Sequence, residues 1–159
     1  LTMSSVAMAA VDQADDLRGR FLTFYIGQTI YGIELLNVIE IISVQPITPV
    51  PSLPSYIKGI INLRGKVVPV IDVRLKFDQP ERAYDGKTCG IVVMVEDMQV
   101  GLIVDLVAEV VSIGDGESNE PPDLGKSGNC YLSSIAKIGD KVILNIDCKK
   151  FFQSDLQLY

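Results

Sequence analysis

No histidine occurs anywhere in the 159-residue chain. That absence removes the commonest general base, the usual partner of a nucleophilic serine or cysteine, the commonest metal ligand and the phospho-acceptor of a histidine kinase. The acidic residues gather in turn-like stretches: Asp78, Glu81 and Asp85; Glu96 and Asp97; and the run from Asp115 to Asp123. Solvated loops account for such clusters, and a small hydrolase built on one of them ranks last among the readings. Asp72 and Asp147 each follow an apolar run, where a carboxylate caps a turn at a strand's end. Cys89, Cys130 and Cys148 are odd in number and too widely spaced for a CxxC metal or redox pair, a pattern that suits a reducing cytosol. Gly114, Gly116, Gly125 and Gly128 have neither the spacing of a phosphate loop nor its Gly-Lys-Ser/Thr ending. The expectation is a protein that is not an enzyme, with no catalytic residue, no cofactor and no metal.

Recognition is the chemistry that remains. Arg64 and Gly65 sit between two apolar runs, so an arginine on a hairpin offers its planar donor fork to a carboxylate or amide while the glycine lets another backbone approach. A solvated turn arginine is the competing reading. The segment Pro46 to Pro54 has PxxP spacings, read first as an inter-strand connection and second as a ligand for proline-reading domains. A net charge of −6 with no basic cluster argues against nucleic acid. The longest uncharged stretch, Ile41 to Ile57, is broken by four prolines, so no direct membrane insertion is expected. Residues 1–19, without the basic flank of a secretory signal, are expected to be a flexible tail, and 153–159 a second one.

The elements that position these residues are short runs rich in Val, Ile, Phe and Tyr, punctuated by Gly, Pro, Asn and Asp, which read as strands. Expected strands are Arg20 to Ile26, Ile30 to Ile33, Val38 to Val44, Gly59 to Leu63, Lys66 to Ile71, Cys89 to Val95, Val100 to Val104, Leu106 to Ile113 and Val142 to Ile146. Ser55 to Lys58 is expected to make one helical turn, Gly114 to Gly128 a long polar loop, and Lys149 to Phe152 the start of a terminal helix. Pro69, lacking an amide donor, is expected at a sheet edge or bulge.

The halves of the chain repeat. At an offset of 69 residues Thr29 to Val44 falls ungapped on Met98 to Ile113, with Gly32 on Gly101, Val38 on Val107, Glu40 on Glu109 and Ser43 on Ser112. At an offset of 75, Tyr56 to Phe77 falls on Tyr131 to Phe152, with identities at Tyr56, Ile60, Lys66, Val67, Ile71, Asp72 and Phe77. A duplicated unit of about five short strands follows, each copy too small to stand alone and so packed on its twin, with a groove between them. The copies differ at Gly59, Asn62, Arg64, Gly65 and Pro69, where the second has Ser134, Lys137, Gly139, Asp140 and Leu144. Those departures mark where one copy carries a function that the shared fold does not explain.

The string from Lys58 to Arg74, KGIINLRGKVVPVIDVR, resembles the signature segment of CheW-type domains, supported by Phe21 to Phe24, Tyr31 to Ile33, Val38 to Ile41 and Val100 to Asp105. The resemblance covers roughly Arg20 to Phe152. It implies an all-β fold of two packed, intertwined five-stranded SH3-like barrels with short helical turns and a C-terminal helix, divided here as subdomains 20–85 and 86–152. It also implies a cytoplasmic adaptor, recruited to membrane receptor arrays, that couples methyl-accepting chemoreceptors to the histidine kinase CheA. The implied partners are the receptor's cytoplasmic helical tip, docked in the inter-barrel groove, and the kinase regulatory domain on another face. The residues carried over to the receptor site and its support are Val38, Glu40, Gly59, Asn62, Arg64, Cys89, Gly101 and Val110. Val38 and Val110 also read as ordinary core, Gly59 and Gly101 as backbone geometry, and Cys89 as filler. A second reading is a scaffold module of the same type that normally accompanies a receiver domain.

Overall fold

The fold is taken from a computed structural model that describes residues 17–120 and 131–152. Residues 1–16 of the expected tail 1–19, the polar loop beyond residue 120, Cys130 and the tail at 153–159 lie outside the described residues; Leu17, within that expected tail, is instead buried in the core. Eleven strands are described: β1 Arg20–Ile26, β2 Thr29–Glu34, β3 Val38–Ser43, β4 Ile57–Leu63, β5 Lys66–Asp72, β6 Cys89–Val95, β7 Met98–Val104, β8 Leu106–Ser112, β9 Ser118–Asn119, β10 Leu132–Ile138 and β11 Lys141–Ile146. They form a five-stranded sheet in the order β3-β6-β7-β5-β4 and a six-stranded sheet in the order β8-β1-β2-β11-β10-β9.

Neither sheet belongs to one half of the sequence. The five-stranded sheet takes β3, β4 and β5 from the first half and β6 and β7 from the second; the other sheet takes β1 and β2 from the first half and the rest from the second. The expected subdomain limits 20–85 and 86–152 therefore coincide with the repeats, and the strands of each sheet cross that boundary. The repeat offsets carry over into the pairing. Val70 lies opposite Gly101 and Ile71 opposite Leu102 in the parallel ladder of β5 and β7, and their repeat mates Asn145 and Ile146 lie opposite Gly32 and Ile33 in the ladder of β11 and β2.

Each sheet also closes on itself in the same way. Thr48, just beyond β3, exchanges two backbone hydrogen bonds with Ile60 of β4, at 2.8 and 2.9 Å. In the other sheet β9, just beyond β8, pairs its Asn119 with Ile135 of β10, and Ile135 is the repeat mate of Ile60. The expected all-β fold of two packed barrels is thus present, with β9 as the short sixth strand that completes one of them.

Three apolar clusters follow from the period-2 alternation of the strands. Leu22, Phe24 and Ile26 of β1 and Ile91, Val93 and Val95 of β6 point into a large core between the barrels. Val92 and Val70 instead fill the five-stranded barrel with Ile61, Leu63, Val68 and Ile103, while Ile113, Ala136 and Ile143 fill the other. Because β6 is buried on both faces its sequence reads as a continuous apolar run. The shared core is completed by the two repeat-related helical segments, Val73–Lys76 and Cys148–Phe152. Phe77 stacks on Tyr31 with ring centroids 4.9 Å apart and meets Phe151 edge-on at 5.5 Å. Lys76, whose repeat mate is Phe151, is only 7% exposed and holds its ammonium over the rings of Tyr56, Tyr131 and Phe151 at 4.6, 5.1 and 4.9 Å.

Three local expectations change. Ser55 and Tyr56 form a turn and Ile57 already begins β4, so no helical turn forms at 55–58; the Tyr56 carbonyl is used to accept the Asp72 amide at 2.7 Å. Leu132–Ile138 is a full strand, visible in the sequence only through its repeat mate Ile57–Leu63. Pro69 lies in an interior strand and not at an edge, one position from the irregularity that β4 makes between Ile57 and Gly59. Opposite it, Ile60 spends both backbone groups on Thr48, which makes Ile60 and Pro69 a non-hydrogen-bonded pair. The nitrogen of Pro69 therefore points toward β7, whose ladder begins only at Val70, and no donor is missed. Among the described residues no helix is long and apolar enough to cross a membrane.

Because the central core exists only between the barrels, Phe151→Ala should cost about 3–5 kcal/mol and unfold both barrels together. Urea denaturation followed in parallel by far-UV circular dichroism and tyrosine fluorescence should give coincident transitions, shifted to lower urea in the variant.

Candidate functional site

The tip of the β4–β5 hairpin is built by a two-residue turn, with Leu63 opposite Lys66 and both Arg64 (φ +52°) and Gly65 (φ +86°) left-handed. Two positive φ values define the type I′ geometry that matches the twist of a hairpin, and Asn or Gly is the usual first residue. Arginine at that position carries a conformational cost. The repeat-related hairpin avoids it by placing Gly139 (φ +60°) first. Asn62 accepts a hydrogen bond on Oδ1 from the Gly65 amide at 2.9 Å, which fixes the turn locally. Arg64 Nη2 donates to Oε1 of Glu40 on β3, which fastens the hairpin tip to the strand at the other edge of the same sheet. The arginine side chain remains 68% exposed and the glutamate 14%, so an ion pair here adds little stability and leaves most of the guanidinium facing outward.

Of the eight residues expected at the site, Glu40, Asn62 and Arg64 come together on this exposed corner. Cys89 and Val110 are half-buried against the shared inter-barrel core, Cys89 opposite Ser43 and Val110 opposite Leu22. Burial pushes the Cys89 thiol above its ordinary pKa, which makes it a poor nucleophile. Val38 is core, 3% exposed. Gly59, at φ +143°, lies so close to the strand closure that an added Cβ would sit 2.1 Å from the Thr48 carbonyl oxygen. Gly101 lies where a Cβ would come within 2.9 Å of Val70 Cγ1. These last three are buried and offer no surface of their own.

Sequence reasoning did not find a second polar cluster. Arg74 Nη1 donates to Asp105 Oδ2 at 2.5 Å, Arg82 Nη1 approaches the same oxygen at 3.3 Å, and the Gly27 amide donates to it at 2.7 Å. Nearby, Asp72 caps its helical turn by accepting the Leu75 amide and takes the Tyr84 hydroxyl on its other oxygen at 2.9 Å. Partial burial and the Asp72 carboxylate hold Tyr84 well above the ordinary tyrosine range. Asp147 accepts the Lys150 amide at 3.1 Å, the same cap in the second copy, as expected from the sequence. Among the described residues no group of three or more His, Cys, Asp or Glu side chains is placed to hold a metal ion.

The described residues thus form twin barrels with exchanged strands and a corner that presents one exposed arginine fork. The CheW-like domain model matches residues 20–156, and the chain belongs to that family. It is 34% identical over 97% of its length to the chemotaxis protein CheW of Klebsiella aerogenes, covering 90% of that protein. It is 31% identical to the CheW of Treponema pallidum over 88% of this chain and 85% of that one. Among solved structures, the scaffolding protein TtCheW from Thermoanaerobacter tengcongensis superposes with a TM-score of 0.80 at 33% identity, covering 85% of this chain and 92% of that one.

Two outcomes follow from this geometry. Gly59→Ala should lower stability by about 1–3 kcal/mol through strain at the closure, whereas Arg64→Ala should change it by less than about 1 kcal/mol; thermal melts of both variants compare them. Tyr84 has a folded pKa above its unfolded value, so its contribution is complete below about pH 10 and is lost as pH rises above that value. The urea midpoint measured at pH 9 and 11 should therefore fall less in Tyr84→Phe than in the parent protein.

Proposed function

We propose that this chain is a cytoplasmic chemotaxis scaffold that couples the helical signalling tip of membrane chemoreceptors to the regulatory domain of the kinase CheA, by binding and without turnover. The observation that carries this reading is Arg64: an outward-facing guanidinium held at a costly backbone angle, anchored to Glu40, and present in only one of the two repeat-related hairpins. A guanidinium tethered on one edge keeps donors for a carboxylate or amide on a partner helix, and its fixed orientation lowers the ordering cost of binding. Glu40, Asn62 and Arg64 form the contact surface in this account. Cys89 and Val110 form its apolar flank, and Val38, Gly59 and Gly101 set its backbone. The kinase regulatory domain uses a separate face, so that both partners are held at once and receptor motion reaches the kinase through a rigid body.

Titrating the full chain with a soluble fragment of the receptor tip and, separately, with the kinase regulatory domain tests the reading. Both should bind saturably. Arg64→Glu should weaken the receptor-tip complex by about tenfold or more, equivalent to ~1.4 kcal/mol, and leave the kinase complex unchanged. Undiminished receptor-tip affinity in Arg64→Glu removes the hairpin corner from the site.

A further inference from the structure

The two barrels share a topology and differ in what fills them. At the repeat offsets, four of the six buried residues inside the five-stranded barrel have mates that are smaller or polar: Ile61 matches Ala136, Val70 matches Asn145, Val92 matches Thr23 and Ile103 matches Glu34. The buried apolar cluster of the six-stranded barrel is correspondingly reduced to Ile113, Ala136 and Ile143.

Two of these mates, Thr23 and Asn145, are polar and buried. Thr23 is satisfied, since its hydroxyl donates to the Glu109 carbonyl at 2.7 Å and accepts the Glu109 amide at 3.1 Å. Asn145 is not. Its Nδ2 donates to Ser134 Oγ at 3.0 Å, directly across the β10–β11 ladder, while Oδ1 has no hydrogen-bond partner among the described residues. Exchanging the oxygen and nitrogen of the amide would move the unpaired group without removing it. The amide occupies the place that a valine takes in the other barrel: a Cβ on Gly32 would lie 2.4 Å from Asn145 Oδ1, as one on Gly101 would lie 2.9 Å from Val70 Cγ1.

Asn145 lies in the parallel ladder of β11 and β2, opposite Gly32. That ladder of four residue pairs holds one side of the β10–β11 hairpin, and two pairs with β9 hold the other. β1 and β2 are anchored instead through Leu22, Phe24, Ile26 and Ile33 in the shared inter-barrel core. An amide group buried without a partner raises the energy of the closed ladder and regains hydration once the ladder parts. The penalty is relieved by opening at this seam and not by opening of the five-stranded barrel, where Val70 has no hydration to regain.

We propose that the β10–β11 hairpin parts from β2 as a local unit, with Asn145 setting how often, while the five-stranded barrel and its Glu40–Arg64 corner stay closed. The opening is a rare excursion from the folded state, so the barrels still unfold together in the global transition. The molecule then combines one stiff barrel with one yielding barrel. A partner that grips the six-stranded barrel draws on a conformational equilibrium that a partner at the corner does not.

Native-state hydrogen exchange of the full chain, corrected for intrinsic rates and followed in low urea, tests this. Amides of the β2–β11 ladder should exchange about tenfold faster, or more, than their mates in the β5–β7 ladder, and with a weaker dependence on urea. Asn145→Val, which installs the residue of the other copy, should slow exchange in β2–β11 about tenfold, equivalent to ~1.4 kcal/mol. Ile61→Val should speed exchange in β5–β7 severalfold and leave β2–β11 unchanged, because the five-stranded barrel stays packed during the opening. Should Asn145→Val fail to fold, the parent protein and Ile61→Val decide the matter between them. Equal protection and equal urea dependence in the two ladders, or Ile61→Val speeding both by the same factor, would mean a single global opening and overturn the proposal. Unchanged β2–β11 exchange in a folded Asn145→Val would overturn it as well.

Discussion

Everything in this structure depends on a core that neither half of the chain can make alone. The rings of Phe24, Tyr31, Phe77, Tyr131, Phe151 and Phe152 meet between two barrels, and each barrel borrows two strands from the opposite half. A half-chain would leave β2 and β7 without their parallel neighbours β11 and β5, and β1 and β6 without their antiparallel neighbours β8 and β3. Exchange therefore converts two marginal units into one cooperative body. Lys76 shows how finely the junction is adjusted: where strict symmetry would set two Phe151-like rings against each other, one copy supplies an ammonium that sits over three rings.

A body held together at its centre leaves its outer turns free to diverge. The two β-hairpins related by the offset of 75 share their register, yet one ends in Arg64-Gly65 and the other in Gly139-Asp140. Moving the glycine from the second to the first turn position changes the turn type and hands the first position to an arginine. The divergent side chain is the one proposed to meet a partner, whereas Gly59 at the closure and Gly101 in the ladder are dictated by close approach of backbone and side chain. Recognition by such a corner relies on placement, and placement relies on the shared core.

The duplication is legible in the sequence because the offsets of 69 and 75 leave long ungapped matches, and the strands follow because their apolar alternation is strong. Strand exchange is not legible from the residues themselves, since a strand's sequence records that its faces are buried and not which half of the chain buries them; only the family resemblance carries the word intertwined. Pro69 misleads for a similar reason: its missing donor reads as an edge signal, whereas the departure of Ile60 toward Thr48 frees that position inside the sheet. β10 is hidden by its serines and becomes visible only through β4. At the site, Arg64, Asn62 and Glu40 stand out by type and position, but their contact cannot be read, because the approach of a hairpin tip to β3 is set by how the sheet closes at Thr48. Of the network of Arg74, Arg82, Asp105, Asp72 and Tyr84, the residues alone mark only Asp72, as a turn cap matched by Asp147; its links to Tyr84 and the meeting of Arg74 and Arg82 at Asp105 are made by tertiary packing.

The central claim is that a partner helix is recognised at the corner formed by β3 and the β4–β5 hairpin of a body that does not otherwise change shape. Hydrogen exchange of the full chain with and without saturating receptor tip, read residue by residue, tests this most directly. The account predicts slowed exchange confined to β3 and the turn at residues 62–65, with the inter-barrel core unaltered. Protection centred on the opposite barrel, around β10 and β11, with no change at residues 62–65 would contradict it.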